Sequence, residues 1–386
     1  MPNPRIKFLP PKISGAVDGI KQLDSRGLLY YMDYSGNYYL LQKLVDRMTN
    51  PGCSTFLTDK LGGGKLFCRN YDFSHYRYNK KGGPEDITGL IIVMRCANPK
   101  AKYKSIGIAD GFWLDSEKGR FFEGSLSDGK TDVTKLAAIP FAVMDGANEA
   151  GLAVSIMHLP TENNWIEREY ISPEEMTEDE RKTAVILEVS GAVPERLDSK
   201  IKKNYLAVNT WDKKCWYADK NLAVNQQEAG KKTVIHPVLM RRMLDFAGNV
   251  DEAVEIARSV NVKSAMPDND YHILVSDRSG KSVILEWIYN TLTVTETIHG
   301  TNFYKARSDH YGYGYERDAV LEACLNKYKN GMSEEIAMRT LQLASQNSPE
   351  GSDVGFTQWS SIYDLDRNTL KLSVFMDYAQ YYDFKI

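Results

Sequence analysis

Hydrophobic and polar positions alternate along this chain in short blocks, which predict strands and hairpins with a few helices between them. Two runs rich in Thr, Phe, Leu and Tyr, Gly52–Asp59 and Leu66–Phe73, flank Gly62-Gly63-Gly64 and predict a β-hairpin. A turn centred on Gly62-Gly63 sets Cys53 opposite Asp72 and near Arg69, with the register open by one residue because three glycines are adjacent. Gly89–Cys96 is a continuous apolar run and reads as a buried strand. Asn148-Glu149-Ala150-Gly151 reads as a tight turn joining two strands. Pro237–Leu244 and Asn249–Ala257 carry helical periodicity, the second with an asparagine cap and an acidic first turn. Tyr271–Trp287 is a strand, an Asp277-x-x-Gly280 turn and a second strand, to which Leu292–Thr297 adds a third. Helices are predicted from the Tyr311–Leu321 region through Cys324 and from about 333 to 345. Thr357–Asp364 and Leu370–Phe375 form a last hairpin.

Other stretches are less regular. Leu28–Leu41 is aromatic and suited to burial, and a helix is predicted over Gln42–Met48, ending near Asn50-Pro51-Gly52. Lys100–Thr134 reads as loops around short strands. Residues 161–233 give no clear pattern, and their charges read as a solvated face. Strand hairpins at both ends with helices between them suit a layered α+β architecture.

Composition narrows the class. At 386 residues, 42% hydrophobic and 26% charged, the chain suits a large globular core. A net charge of −3 gives no reason to expect nucleic acid as a partner. Five cysteines without a C-x-x-C pair read as reduced thiols in a cytoplasmic setting. No apolar run is long enough to span a bilayer, and Met1–Lys7 lacks the apolar core of a signal peptide. Gly62-Gly63-Gly64-Lys65 lacks phosphate-loop spacing, Gly312-x-Gly314 is too short for a dinucleotide fingerprint, and no His/Cys spacing suggests zinc. No metal or cofactor is expected.

The chemistry-bearing cluster is Cys53 with Arg69 and Asp72. A cation and a carboxylate beside a thiol suit an activated nucleophile, whereas a lone cysteine is more often a small buried hydrophobe. Gly-Cys-Ser-Thr-Phe at Gly52–Phe56, Phe-Cys-Arg-Asn-Tyr-Asp-Phe at Phe67–Phe73, and Asp-Gly-Ala-Asn-Glu-Ala-Gly-Leu at Asp145–Leu152 resemble the choloylglycine hydrolase family of linear amide C–N hydrolases. In that family the cysteine is the mature N-terminus and its own α-amine, with an unperturbed pKa of about 8, takes the thiol proton.

The resemblance implies the four-layer αββα sandwich of N-terminal-nucleophile hydrolases. It implies a propeptide over 1–52, cleaved between Gly52 and Cys53, and one catalytic domain over 53–386 with an insertion at about 161–233. An N-terminal element that stays attached is the alternative for 1–52. The implied catalytic residues are Cys53, Arg69, Asp72, Asn302 and Arg317. His158 stands where bile salt hydrolases carry an oxyanion asparagine, and its role stays open between that donor and a strand-end histidine tied to a carbonyl. Trp113 and Phe121 are weak candidates for the acyl-binding wall, with Gly52 and Cys53 as the self-processing pair. The partner is then a small N-acyl amide, and a homo-oligomer stays open. The short connection from Asn302 to Arg317 puts a bile acid substrate in doubt. An acyltransferase at the same site, or an uncut binding protein of the same fold, are the rival readings.

Overall fold

Each alternating strand has one face to hide, and the strands do so by stacking as two sheets with helices on the outer sides. This computed structural model describes residues 9–44, 52–73, 90–111, 133–161, 223–265, 269–307, 310–346 and 356–386. Helix α1 (Pro11–Asp18), strands β1 (Lys21–Gln22) and β2 (Leu29–Tyr34) and a 3-10 helix over Tyr38–Leu44 precede the hairpin of β3 (Gly52–Asp59) and β4 (Lys65–Phe73). Next come β5 (Ile91–Cys96), β6 (Ser105–Asp110), a 3-10 helix over Val133–Ala142, β7 (Val143–Asn148) and β8 (Leu152–Pro160). A crossing unit follows: β9 (Lys232–Ile235), α2 (His236–Phe246), α3 (Val250–Arg258) and β10 (Val260–Lys263). The meander is β11 (Asn269–Asp277), β12 (Ser282–Ile288) and β13 (Thr291–Glu296). Three two-residue strands, β14 (His299–Gly300), β15 (Asn302–Phe303) and β16 (Gly312–Tyr313), lead into α4 (Tyr315–Lys327) and α5 (Glu334–Leu343). The described chain closes with β17 (Phe356–Asp364), β18 (Thr369–Val374) and β19 (Tyr382–Lys385).

The nine-stranded sheet runs β1-β2-β5-β6-β7-β8-β11-β12-β13 and the six-stranded sheet β14-β3-β4-β17-β18-β19. Helices α2 and α3 pack on the outer face of the first, α4 and α5 on the outer face of the second, and β3 meets β8 between them. The architecture is therefore αββα. Strands β6, β7 and β8 are buried at every position, as strands covered on both faces are.

Residues 9–44 are built into this frame. Strand β2 lies between β1 and β5, parallel to β5 from Leu29↔Ile91 to Tyr34↔Cys96. Tyr38 and Tyr39 both donate to the Asp245 carboxylate, at 2.7 and 2.8 Å, from a 3-10 helix over Tyr38–Leu44. Of the helix predicted over Gln42–Met48, residues 42–44 belong to that 3-10 helix and 45–48 lie outside the described residues. The 3-10 helix over Val133–Ala142 has no counterpart in the sequence reading, because burial of Leu136 through Ala142 leaves no polar stripe to mark it. Of the segment 161–233, only 161 and 223–233 lie among the described residues.

The hairpin corrects the register. Cys53 pairs with Tyr71, and Asp72 pairs with Gly52. Gly62, Gly63 and Gly64 have φ of 87°, 104° and 96°, so each accepts the left-handed turn and none selects the pairing by itself. One residue decides which face a side chain takes. Cys53, Arg69 and Tyr71 face the nine-stranded sheet, whereas Asn70 reaches the Leu341 carbonyl of α5 on the other side.

Candidate active site

Cys53 is the second residue of β3 and is wholly buried. Its thiol is met from the inner face by Arg69, whose Nη2 lies 2.7 Å from Sγ. Arg69 is itself tethered to the opposite sheet. It donates to the carbonyls of Met144 and Ile156, the latter at 2.7 Å, and pairs with Asp145 at 3.3 Å. Asp145 also accepts from Trp359 Nε1 at 2.9 Å and from the Tyr363 hydroxyl. The carboxylate that neutralises Arg69 is thus held by both sheets.

A second set of contacts reaches the main chain of Cys53. Its N–H donates to Asn302 Oδ1 at 3.1 Å and its carbonyl accepts from Arg317 Nη1 at 2.6 Å. Arg317, buried in the first turn of α4, also donates to Asn302 Oδ1 at 2.6 Å and to Asp72 Oδ2 at 3.2 Å. Thr357 fixes the other Asp72 oxygen at 2.6 Å from a β-bulge in β17, the kind of irregularity that re-aims a side chain. The Asn302 amide donates to the His158 carbonyl at 2.8 Å. The Asn302 side chain is therefore fully oriented.

Two glycines make this approach feasible. Gly314, at φ 89°, ends the loop before α4, and a Cβ there would meet Arg317 Nη2 at 2.5 Å. Gly312, at φ 142°, lets β16 cross β15, and a Cβ there would meet the Asn302 carbonyl oxygen at 2.2 Å. The Gly-x-Gly that fails as a nucleotide motif is a steric requirement of Asn302 and Arg317.

Burial pushes the Cys53 thiol up to about 11, against the opposing pull of Arg69. Cys53 is therefore a protonated thiol, and its nitrogen is a peptide N–H. Burial likewise pushes His158 down to about 4, leaving a neutral imidazole. Its Nε2 lies 3.0 Å from Asn269 Oδ1 and its Nδ1 lies 2.8 Å from the Tyr313 hydroxyl. As Oδ1 only accepts, the one N–H sits on Nε2 and Nδ1 accepts from Tyr313. The ring has no further N–H to offer; what His158 gives Asn302 is its carbonyl.

Of the residues singled out from sequence, the structure brings together Cys53, Arg69, Asp72, Asn302 and Arg317, with Gly52 at the start of β3. Trp113 and Phe121 lie outside the described residues. Asp145 and Thr357 were not found beforehand. Asp145 carried one signal, its place at the head of the Asp145–Leu152 motif, and Thr357 carried none. Among the described residues no group of three or more His, Cys, Asp or Glu is arranged to hold a metal.

No family model and no curated protein sequence matches this chain. Among solved structures it is similar to a variant of conjugated bile acid hydrolase from Clostridium perfringens, with 14% identity, a TM-score of 0.49 and coverage of 86% of this chain and 92% of that one. It is also similar to penicillin V acylase from Agrobacterium tumefaciens, with 12% identity, a TM-score of 0.47 and 86% of each chain covered.

Proposed function

We propose that this protein is a cysteine N-terminal-nucleophile amidohydrolase that cleaves the linear amide of an N-acyl compound. One observation carries the reading: the thiol and the main-chain nitrogen of Cys53 are each held by a different buried side chain, Arg69 and Asn302. A structural cysteine needs neither contact. A nucleophile whose own amine is the base needs both groups positioned.

Activation begins with Sγ of Cys53 attacking the Gly52 carbonyl carbon. The Gly52–Cys53 C–N bond breaks, the thiol proton moves to the departing nitrogen, and water hydrolyses the resulting thioester. This leaves a free thiol and a free amine on Cys53. In turnover that amine takes the thiol proton, the thiolate attacks the substrate carbonyl, and the leaving amine departs with a proton. Water then resolves the acyl-thioester. Arg69 supplies the charge that favours the thiolate once substrate and solvent enter. Asn302 holds the amine through Oδ1 and offers the amide proton not taken by the His158 carbonyl to the developing oxyanion, while Arg317 and Asp72 keep the cysteine main chain in place.

The leader is cut but stays bound in this reading, because β2 is an internal strand and Tyr38 and Tyr39 are tied to Asp245. The test is acyl-enzyme trapping with a panel of chromogenic N-acyl anilides, quenched in acid. A mass adduct of the acyl group on Cys53 is expected, and it should vanish in Cys53→Ala together with turnover. Hydrolysis retained by Cys53→Ala overturns the nucleophile assignment.

A further inference from the structure

Two buried polar groups take no part in the steps above. Glu286 of β12 and His272 of β11 are both fully buried, and His272 Nδ1 lies 2.9 Å from Glu286 Oε1. Isolated charges at such depth are strongly unfavourable unless every lone pair and proton is used. Here both oxygens of Glu286 and Nε2 of His272 are used on one short segment. Glu286 Oε1 accepts from the Lys305 N–H at 2.8 Å and Oε2 from the Ala306 N–H at 2.8 Å. His272 Nε2 lies 2.8 Å from the Thr301 carbonyl, which only accepts, so that nitrogen carries a proton. The bonds close on residues 301, 305 and 306, and Asn302 lies inside the span they pin.

Other contacts hold the far part of that span: the Tyr304 N–H donates to the Tyr311 carbonyl at 2.9 Å, Lys305 pairs with Asp318 at 2.8 Å, and Phe303 stacks on Tyr315. Strand β15 is two residues long and pairs only with the two residues of β16, through the Gly312 crossing. A two-residue ladder is weak support for a side chain that must meet Cys53 N, Arg317 and the His158 carbonyl together.

We propose that His272 and Glu286 are positioning residues, a polar clip that sets the segment carrying Asn302 against the nucleophile. The proposal rests on the reading of Cys53 as the nucleophile and of Asn302 as its partner. The clip meets the cysteine through Asn302, since Arg69 and Asp72 hang from a different strand; its Lys305 also pairs with Asp318 beside Arg317 on α4. Support of this kind is felt in turnover more than in substrate affinity, because small misplacements of reacting groups lower rate by about a hundredfold.

The experiment is a double-mutant cycle. Glu286→Gln is made in the native and the Asn302→Ala backgrounds, with N-acyl anilide hydrolysis as the assay. In the native background kcat should fall about tenfold or more with KM within about twofold; in Asn302→Ala the further loss should be under about twofold. Equal fold losses in both backgrounds overturn the clip. A crystal structure of Glu286→Gln gives a readout independent of turnover. The Asn302 Oδ1 to Cys53 N distance, 3.1 Å in the native protein, should open beyond about 3.5 Å. An unchanged distance also overturns the clip. Should Glu286→Gln fail to fold, His272→Gln, which keeps an N–H for the Thr301 carbonyl, is carried through both measurements. Failure of the nucleophile reading shows separately, as hydrolysis that survives in Cys53→Ala.

Discussion

The two buried arginines at Cys53 do different work from opposite sides of one hairpin. Arg69 stands on the face that meets the nine-stranded sheet, touches the thiol, and is neutralised by Asp145 across the sheet interface. Arg317 comes from α4 on the helix side, does not touch the thiol, and grips the Cys53 carbonyl, Asp72 and Asn302. The first is an electrostatic partner of the thiol, and the second is a scaffold for the main chain that bears it. Equal charge and equal burial therefore do not mean an equal role; the atoms each guanidinium reaches decide it.

Removing the two arginines should pull stability and reactivity apart. Arg317→Met leaves Asp72 buried with no cation, and breaking such a pair lowers unfolding free energy by about 3–5 kcal/mol. Arg69→Met leaves Asp145 with Trp359 and Tyr363 still donating, so its stability loss should be smaller while alkylation of Cys53 slows about tenfold or more. Urea titrations and iodoacetamide rates on both variants check this. Equal losses in both measurements break the comparison. The double variant Asp72→Asn, Arg317→Met should recover part of the stability, because no uncompensated charge remains.

A smaller effect is expected from Gly314→Ala. The methyl meets the Arg317 guanidinium and strains a left-handed residue, so about 1–3 kcal/mol of stability should be lost. Cys53 alkylation should stay near the native rate, since the perturbation is confined to the helix side. A large change in alkylation would place Arg317 on the thiol after all.

The smallest effect concerns acid. His158 is held near 4 by burial, below the 6.5 of an unfolded chain, so between those values the unfolded state binds the extra proton. Its contribution to stability is thus lost as pH falls from about 6.5 to about 4, at about 1.4 kcal/mol per unit. The carboxyls of Asp145 and Asp270, raised by burial, act in the opposite sense, so the readout is the native protein minus His158→Gln. That difference should shrink on acidification, and a constant difference contradicts a buried neutral imidazole.

The hairpin, the Asn148–Gly151 turn, the 269–296 meander and the capped helix after Asn249 were legible because local pattern alone specifies them. The register of the hairpin was not, since three glycines accept any of the neighbouring pairings and only packing against two different layers chooses. Cys53, Arg69 and Asp72 were drawn together by the hairpin itself, whereas Asn302 and Arg317, 249 and 264 positions from Cys53, were legible only through the family resemblance. Asp145 and Thr357 were hidden for the same reason, as their partners Arg69 and Asp72 lie on another part of the chain. His158 was seen in the right place, but which of its groups faces Asn302 depends on Asn269 and Tyr313. The leader read as a removable cover, and a strand pairing with β5 is not visible until both partners are placed.

The central claim is tested most directly by weighing a catalytically active preparation, first denatured and then in its native state. Two chains are expected on denaturation, the larger beginning at Cys53, and one assembly of both under native conditions. An active enzyme whose Gly52–Cys53 bond is still continuous would contradict the account, because its nucleophile would have no amine beside it.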